Sequence, residues 1–410
     1  MSDTRFKPEI PIMPPHSLSH KRRKMPVTAR LFVIALTVLG CLPPAIKWLR
    51  EKPAFAERTF VVSVPRPETN ASPFFQTEFV SPEAFTPSVH VGSICELPDG
   101  RLGAAWYGGT TEGDPDVKVF FSTRKPGQNE SWAAPLAVVS RESAEQELRR
   151  PISKVGNAVL FADARGQLGL IYVTIPFGGW SVSSLNLKTS RDGGQTWSAS
   201  RRLTLSPFFN LSELVKNNPA LLSDGSWAVP IYHELLGKFS EILWLQTSAD
   251  GGDISWTKTR VNGGRSAFQP ALVAASSNEA IVLARDDGSE KQIHVARSTN
   301  AGRSWREQEL AGLPNSNSGL DAVRLADGRI LLAFNDTLRG RTNLSLAVSN
   351  DGGRTWTRRA VIEQEPGGEF SYPYLIQAQN GWIHLVYTWK RKQIKHATFN
   401  PAWLDTADGK

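Results

Sequence analysis

The chain has 410 residues, 40% hydrophobic and 21% charged, with 47 Lys/Arg against 39 Asp/Glu and a formal net charge of +8. Nine of those bases and two of the acids fall in the first 50 residues, so the remainder is close to neutral and lacks the basic face that nucleic-acid binding requires. Two cysteines exclude a disulfide-stapled scaffold, seven histidines show no metal-ligand spacing, and no phosphate-cradling glycine loop occurs, so neither metal nor cofactor is expected.

Residues 1–30 are basic and proline-containing, and read as a disordered cytoplasmic segment. The cluster His20-Lys21-Arg22-Arg23-Lys24 and then Arg30 precede Leu31 to Ile46, sixteen residues without a charge, which Trp48 and Leu49 extend into an interface. Residues 31–49 therefore read as a signal anchor: one transmembrane pass in the inner membrane, with the rest of the chain on the periplasmic side. Pro43-Pro44 should kink or end that helix near its outer face. A second reading makes Cys41 an acylated lipoprotein cysteine, although Leu39 is not the small residue such sites prefer; a third makes the run a buried helix. Residues 50–85 read as a Pro-rich tether, and Cys95 stands alone in an expected strand.

From Ile94 onward six segments share an apolar run, a polar turn and a second apolar run. They begin at Ile94, Val159, Ala220, Ala271, Ala322 and Leu375, and Asp99-Gly100, Asp224-Gly225, Asp327-Gly328 and Asn380-Gly381 are two-residue hairpin signals within them. A second repeat, Ser-x-Asp-x-Gly-x-x-Trp, interleaves with the hairpins. It is SRDGGQTW at Ser190 to Trp197, SADGGDISW at Ser248 to Trp256, STNAGRSW at Ser298 to Trp305 and SNDGGRTW at Ser349 to Trp356, with a degenerate copy at Ser122 to Trp132. In such a turn the acid accepts hydrogen bonds from nearby amides, glycine supplies a positive φ, and Trp wedges between sheets. These boxes are structural and not catalytic.

Repeats of about 50 to 65 residues with room for four strands each predict a six-bladed β-propeller over residues 86–410, with a β-sandwich or solenoid as the alternative. The sixth unit is short. A strand before Ile94, within Phe60 to Val64 or Phe75 to Val80, should complete it.

The boxes and hairpins resemble those of the sialidases and, more broadly, the BNR/Asp-box repeat proteins, over Ser88 to His396. The resemblance implies a tyrosine nucleophile, and Tyr372 in SYPYLIQAQNGWIHLVY matches it; a phenol suits an anomeric centre that already bears a carboxylate. It also implies three arginines that clamp that carboxylate. Arg341 in Arg-Thr-Asn-Leu matches the third and Arg285 the second, while His90 stands where the first should be, as a cation only below about pH 6.5. The acid/base falls in GGTTEGDPDVKVFF, where Asp114 is preferred to Glu112 and Asp116. The glutamate that should deprotonate the phenol aligns with Gln269, an amide, so Glu234 or Glu369 must serve or the chemistry is altered or lost. Trp106, Tyr107, Phe177 and Trp180 are candidates to stack on sugar faces.

On this basis the chain is expected to be a membrane-anchored exo-glycosidase that releases a terminal acidic ulosonic sugar, such as sialic acid or Kdo, from an envelope glycan or lipopolysaccharide. A non-catalytic propeller that binds glycans or proteins is the alternative, favoured by Gln269. A third reading is a uronate or rhamnose glycosidase or lyase using His233 and Glu234.

Overall fold

The computed structural model describes residues 26–50, 58–62 and 72–407, apart from 128–129, 164, 207–209, 248–253 and 307–308. The expected disordered segment up to residue 25, most of the tether and the centre of the Ser248 box lie outside the described residues. Helix α1 (Val27–Arg50) holds the apolar run and continues through Pro43-Pro44, where a break was expected. The cost of a proline inside a helix, a missing amide donor and a clash with the carbonyl four residues back, is local, so the helix can continue beyond it. Among the described residues no helix is long and apolar enough to cross a membrane.

The rest is all-β. Strand β1 (Phe75–Phe79) comes first, and then β2 (Ser88–Glu96), β3 (Leu102–Gly109), β4 (Lys118–Arg124) and β5 (Leu136–Val139) form one antiparallel sheet in sequence order. After helix α2 (Arg141–Leu148) a second sheet contains β6 (Lys154–Ala162), β7 (Leu168–Ile175), β8 (Ser184–Ser190) and β9 (Arg201–Arg202). A third group comprises β10 (Leu214–Val215), β11 (Ala220–Leu221), β12 (Trp227–His233), β13 (Lys238–Thr247) and β14 (Ile254–Arg260). A fourth comprises β15 (Ser266–Ala274), β16 (Ala280–Asp286), β17 (Gln292–Ser298) and β18 (Glu309–Pro314). These two groups touch through a short parallel seam, Lys238 and Phe239 of β13 beside Ser266 and Ala267 of β15. The fifth sheet is β19 (Asp321–Arg324), β20 (Ile330–Phe334), β21 (Asn343–Ser349) and β22 (Thr357–Gln364). The last is β23 (Phe370–Gln377), β24 (Ile383–Trp389) and β25 (Gln393–Phe399), followed by helix α3 (Pro401–Thr406).

The short last unit is completed as the sequence required: β1 pairs antiparallel with β25, Phe75 opposite Phe399. Phe60 instead makes an isolated bridge to Leu222. Glu78 of β1 also bonds Arg124 of β4 at 2.8 Å, clasping the last sheet to the first. The leading strands of successive groups lie side by side, β2 against β6, β6 against β10, β11 against β15, β15 against β19, β19 against β23, and β23 against β2, with β10 and β11 together opening the third group.

The hairpin turns differ from expectation in one detail. At Leu97 to Arg101 the Gly100 amide bonds the Leu97 carbonyl and the Leu97 amide bonds the Arg101 carbonyl, and Leu222, Leu325 and Ala378 open the same pattern. The loop therefore holds three residues, of which only the glycine is left-handed, φ 80° at Gly100. Asp99 stays on the ordinary side because its carboxylate accepts the Arg101 amide at 3.1 Å, which closes the turn without a second positive φ.

The boxes carry out the chemistry read from them. Ser190 Oγ accepts the Gly194 amide at 2.9 Å, Asp192 accepts the Thr196 amide at 2.9 Å, and the Trp197 indole donates to the Gly194 carbonyl at 3.1 Å. Asn300 substitutes for the acid by accepting the Ser304 amide at 3.0 Å. These bonds hold the Asp192 and Asp351 carboxyls well below the ordinary range, led by the Thr196 and Thr355 hydroxyls respectively. Each box also seats against the preceding sheet. A Cβ on Gly194 would lie 2.0 Å from Phe121 Cε1, one on Gly302 2.7 Å from Trp244 Cη2, and one on Gly353 2.8 Å from Ile281 Cδ1. Because Gly194 has φ 92° as well as no room, Gly194→Ala should cost about 2–4 kcal/mol, read as a lower urea midpoint. An unchanged midpoint would mean that the box is not a sheet-seating element.

Candidate active site

Four of the leading strands are interrupted by a bulge at the same place. Register shifts occur between His90 and Ser93, Gly156 and Val159, Phe268 and Ala271, and Ser371 and Tyr374. The residue inside each bulge is left-handed and not glycine: Val91 (φ 48°), Asn157 (33°), Gln269 (51°) and Tyr372 (53°). A bulge bends its strand and re-aims a side chain, and strained backbone of this kind collects at functional sites. Pro270 and Pro373 follow two of these residues; proline has no amide to donate to a ladder, and a bulge, where pairing is interrupted, accommodates it.

The bulges bring distant residues together around Tyr372. Its hydroxyl is 3.4 Å from Arg285 Nη1, the Arg341 guanidinium lies over its ring at 5.0 Å from the centroid, and the His90 ring meets it edge-on at 4.7 Å. Burial would raise the pKa of this phenol, but Arg285 and Arg341 outweigh burial and lower it from the ordinary tyrosine value. Arg285 is held in turn by Asn317 Oδ1 at 2.6 Å and Gln269 Oε1 at 2.8 Å, and the Gln269 amide nitrogen donates to the Tyr232 hydroxyl at 3.2 Å. Gln269 thus orients an arginine, through a single bond to its amide oxygen that adds no charge.

His90 is present at the cluster but is not the cation expected of it. Burial, then Arg391 and Arg341, drive its pKa well below the ordinary value, so the imidazole is neutral. Both ring nitrogens lack a hydrogen-bond partner among the described residues.

The carboxylates divide among different neighbours. Glu369 accepts Arg391 Nε at 2.9 Å, Arg341 Nη1 at 3.4 Å and the Ser371 hydroxyl at 3.2 Å, so it is occupied as an arginine anchor. Glu112 accepts Arg391 Nη1 at 2.7 Å and the Tyr107 hydroxyl at 3.2 Å, and its charge acts on Tyr372. Glu234 is half-buried; burial raises its pKa, while Lys238 and Arg285 pull it back. Asp114 is tied within its own loop, accepting the Thr111 hydroxyl at 2.7 Å, and no contact joins it to Tyr372 among the described residues. Asp116 is likewise spent on the amide and hydroxyl of Thr110.

The aromatic candidates separate by burial. Trp106 is fully buried against Phe120 and is core, whereas Phe177 is exposed. Tyr107 is buried but reaches Glu112, and half-buried Trp180 covers Gly156 and faces the Tyr107 ring at 6.4 Å. His233 stacks on Phe239 at 4.7 Å.

Three participants were not singled out from the sequence. Arg391 joins Glu112 to Glu369, Tyr232 anchors Gln269 and Asn157, and Lys216 lies fully buried beneath the cluster with its ammonium on the Leu320 and Pro373 carbonyls at 2.9 and 2.6 Å. Arg391 sits in a Lys-Arg-Lys turn that looks like ordinary surface charge, and nothing local marks it. The prolines inside strand-like runs at 270 and 373 were a legible sign of the bulges.

Comparison with known proteins gives the same lineage. The BNR repeat-like domain family matches residues 100–385. A sialidase of Bacteroides fragilis is 27% identical over 243 residues, covering 54% of this chain and 42% of that protein. A sialidase of Micromonospora viridifaciens is 22% identical over 359 residues, covering 78% and 52%. The chain thus spans about half the length of these curated relatives. Among solved structures the Hadza microbial sialidase Hz136 superposes with a TM-score of 0.65 at 17% identity, over 78% of this chain and 68% of that one, a likeness of fold. The family match over most of the chain, the repeated boxes and the propeller-like fold together make this chain a member of the BNR-repeat, sialidase-type superfamily.

Proposed function

We propose that the chain is a sialidase-type exo-glycosidase acting on a terminal ulosonic sugar, sialic acid or Kdo, whose carboxylate adjoins the anomeric carbon. The observation that carries this reading is the Tyr372 phenol held between the guanidinium groups of Arg285 and Arg341. Both arginines would take the sugar carboxylate, setting the anomeric carbon over the phenol oxygen. Tyr372 would attack that carbon while an acid of the 110–117 loop, Asp114, protonates the departing glycosidic oxygen; water would then release the sugar from tyrosine with the same residue as base. Glu234 is the carboxylate we assign to take its proton, since Glu369 and Glu112 both bond Arg391. We read the six strand groups as six blades of one ring, since their leading strands touch in sequence and return to the start.

The test is turnover by the full chain of a fluorogenic sialoside, a Kdo-terminated oligosaccharide and neutral glycosides. Release of one acidic sugar alone supports the reading. Glycan binding without turnover of any substrate would favour the non-catalytic alternative, for which Gln269 in place of a carboxylate speaks.

We also propose that α1 attaches the protein to the inner membrane with the β-domain on the periplasmic side. Leu31, Phe32, Val33, Ile34, Leu36 and Leu39 are all more than half, or half, exposed on it. Deletion of residues 1–50 should move the protein from the membrane pellet to the soluble fraction. Full-length protein that is soluble in low-salt buffer would contradict this.

A further inference from the structure

Three boxes seat a glycine against the sheet before them, and the first sheet's copy does not. Ser122 to Trp132 lacks the Asp-x-Gly centre, and among the described residues a Cβ on Gly127 would meet only Glu130 of its own turn, at 3.2 Å. The sheet that this copy should seat against is the last one, and at their seam lies a cavity of about 260 Å³. Gly100 and Asn380 of two hairpin turns bound it, at the far ends of β2 and β23 from His90 and Tyr372. Six residues of strand at about 3.3 Å each place it roughly 20 Å from the active site. Trp382 and Phe74, their rings 4.6 Å apart, and Leu102 form its apolar side. Glu96, Arg124 and His384 form its polar side. Glu96 accepts the Gln379 amide at 2.8 Å and has no cationic partner among the described residues; burial raises its pKa. His384 is 5% exposed, with Nδ1 3.0 Å from His396 Nε2, and His396 Nδ1 is 3.1 Å from Glu78 Oε1. Glu78, ion-paired with Arg124 at 2.8 Å, can only accept, so His396 carries its proton on Nδ1. Burial lowers the pKa of both imidazoles and keeps them neutral. The proton between the rings is therefore on His384 Nδ1, since two lone pairs would otherwise face each other beside the Thr398 hydroxyl. That leaves His384 Nε2 a bare acceptor, without a partner among the described residues, and such a group is costly to bury unmet. Among the described residues no group of acids, histidines or cysteines is placed to hold a metal ion.

We propose that this cavity is a second glycan-binding site, for one neutral pyranose unit: a C–H face of the ring packs on Trp382 and Phe74 while its hydroxyls donate to His384 Nε2 and Glu96 and accept from Arg124. Both unmet groups are acceptors, which calls for hydroxyl donors. Two carboxylates, Glu78 and Glu96, against one guanidinium disfavour an acidic sugar, and Arg124 on the same wall disfavours an organic cation. The volume lies just below the range for drug-sized ligands and suits a single ring. A glycan held here leaves the active site free, because the two openings are at opposite ends of the same strands. The assignment does not depend on the activity proposed above.

The experiment is a ligand-observed NMR titration of the full chain with methyl β-galactoside, methyl β-glucoside, methyl α-mannoside and n-butylamine. At least one glycoside should bind with a Kd on the order of 1–10 mM. Trp382→Ala should weaken it by about 10-fold and Glu96→Gln by about 3- to 10-fold. Trp382→Phe, which keeps a ring, should fall between the wild type and Trp382→Ala, and serves in its place if the alanine variant folds poorly. Arg341→Ala, at the other end of the strands, should change the affinity by less than about 2-fold. A wild-type chain that binds none of the glycosides overturns the assignment, as does an affinity unchanged in both Trp382→Phe and Glu96→Gln. Loss of binding in Arg341→Ala would put the sugar in the active site instead, and n-butylamine bound in preference to every glycoside would make the cavity a cation site; either result overturns it.

Discussion

Tyr372→Phe is expected to lower kcat by about 10³-fold or more while changing affinity for the acidic sugar by less than about 3-fold. The substitution removes one oxygen and no carboxylate-binding group. Arg285 should keep its place, since Asn317 and Gln269 hold it at 2.6 and 2.8 Å against 3.4 Å for the phenol. Arg341 lies over the ring face, which phenylalanine preserves. Burial raises the phenol's pKa and Arg285 and Arg341 outweigh it, which is the direction that a nucleophilic phenol needs. The measurement is steady-state turnover of the acidic substrate beside calorimetric binding of the free sugar. Full activity in Tyr372→Phe would remove the tyrosine from the chemistry, whatever its surroundings.

Lys216→Met should destabilise the fold by about 3–5 kcal/mol, the largest loss expected from any single change considered. Lys216 is completely buried, and its ammonium donates to Asn217 Oδ1, the Leu320 carbonyl and the Pro373 carbonyl at 2.6, 2.9 and 2.6 Å. Burial lowers the Lys216 pKa and the field of Asp321 offsets part of that; burial raises the Asp321 carboxyl and Lys216 offsets part of that, so removing either group costs the other its compensating charge. Methionine fills the space but takes the ammonium donor from three oxygens, on Asn217, Leu320 and Pro373, and leaves a buried carboxyl without its counter-charge. Chemical denaturation measures the loss, and Asp321→Asn in the same chain should recover part of it, because the two groups are coupled. Since Pro373 directly follows Tyr372, the variant should also lower kcat at temperatures where it remains folded. Stability within about 1 kcal/mol of the wild type would show that the pair is not what holds the centre of the domain together.

Much of the architecture was legible because it is repeated and local. Serine, acid, glycine and tryptophan at fixed spacing form a closed hydrogen-bonded turn by themselves, and so the boxes at Ser190, Ser298 and Ser349 could be read before any strand was placed. The hairpins were legible as a period of apolar runs, though the Asp-Gly turns hold one residue more than the signal suggested. Tyr372, Arg285, Arg341, His90 and Gln269 were found one at a time from family resemblance, and they do meet.

The charge state of His90 was not legible, because it depends on Arg391 and Arg341, which are hundreds of residues away in sequence and close only in space. The same holds for the role of Gln269: its amide reads as a lost base until Arg285 and Tyr232 are seen on either side of it. Glu112 and Asp114 share one loop and are both carboxylic acids, and the position of Arg391 distinguishes them. By itself the sequence determined the repeating turns, the strand groups and the residue that closes each box, since those depend on neighbours within about ten positions. Tertiary structure alone decided which side chains share an electric field, because Coulomb energy depends on distance through the fold and not along the chain.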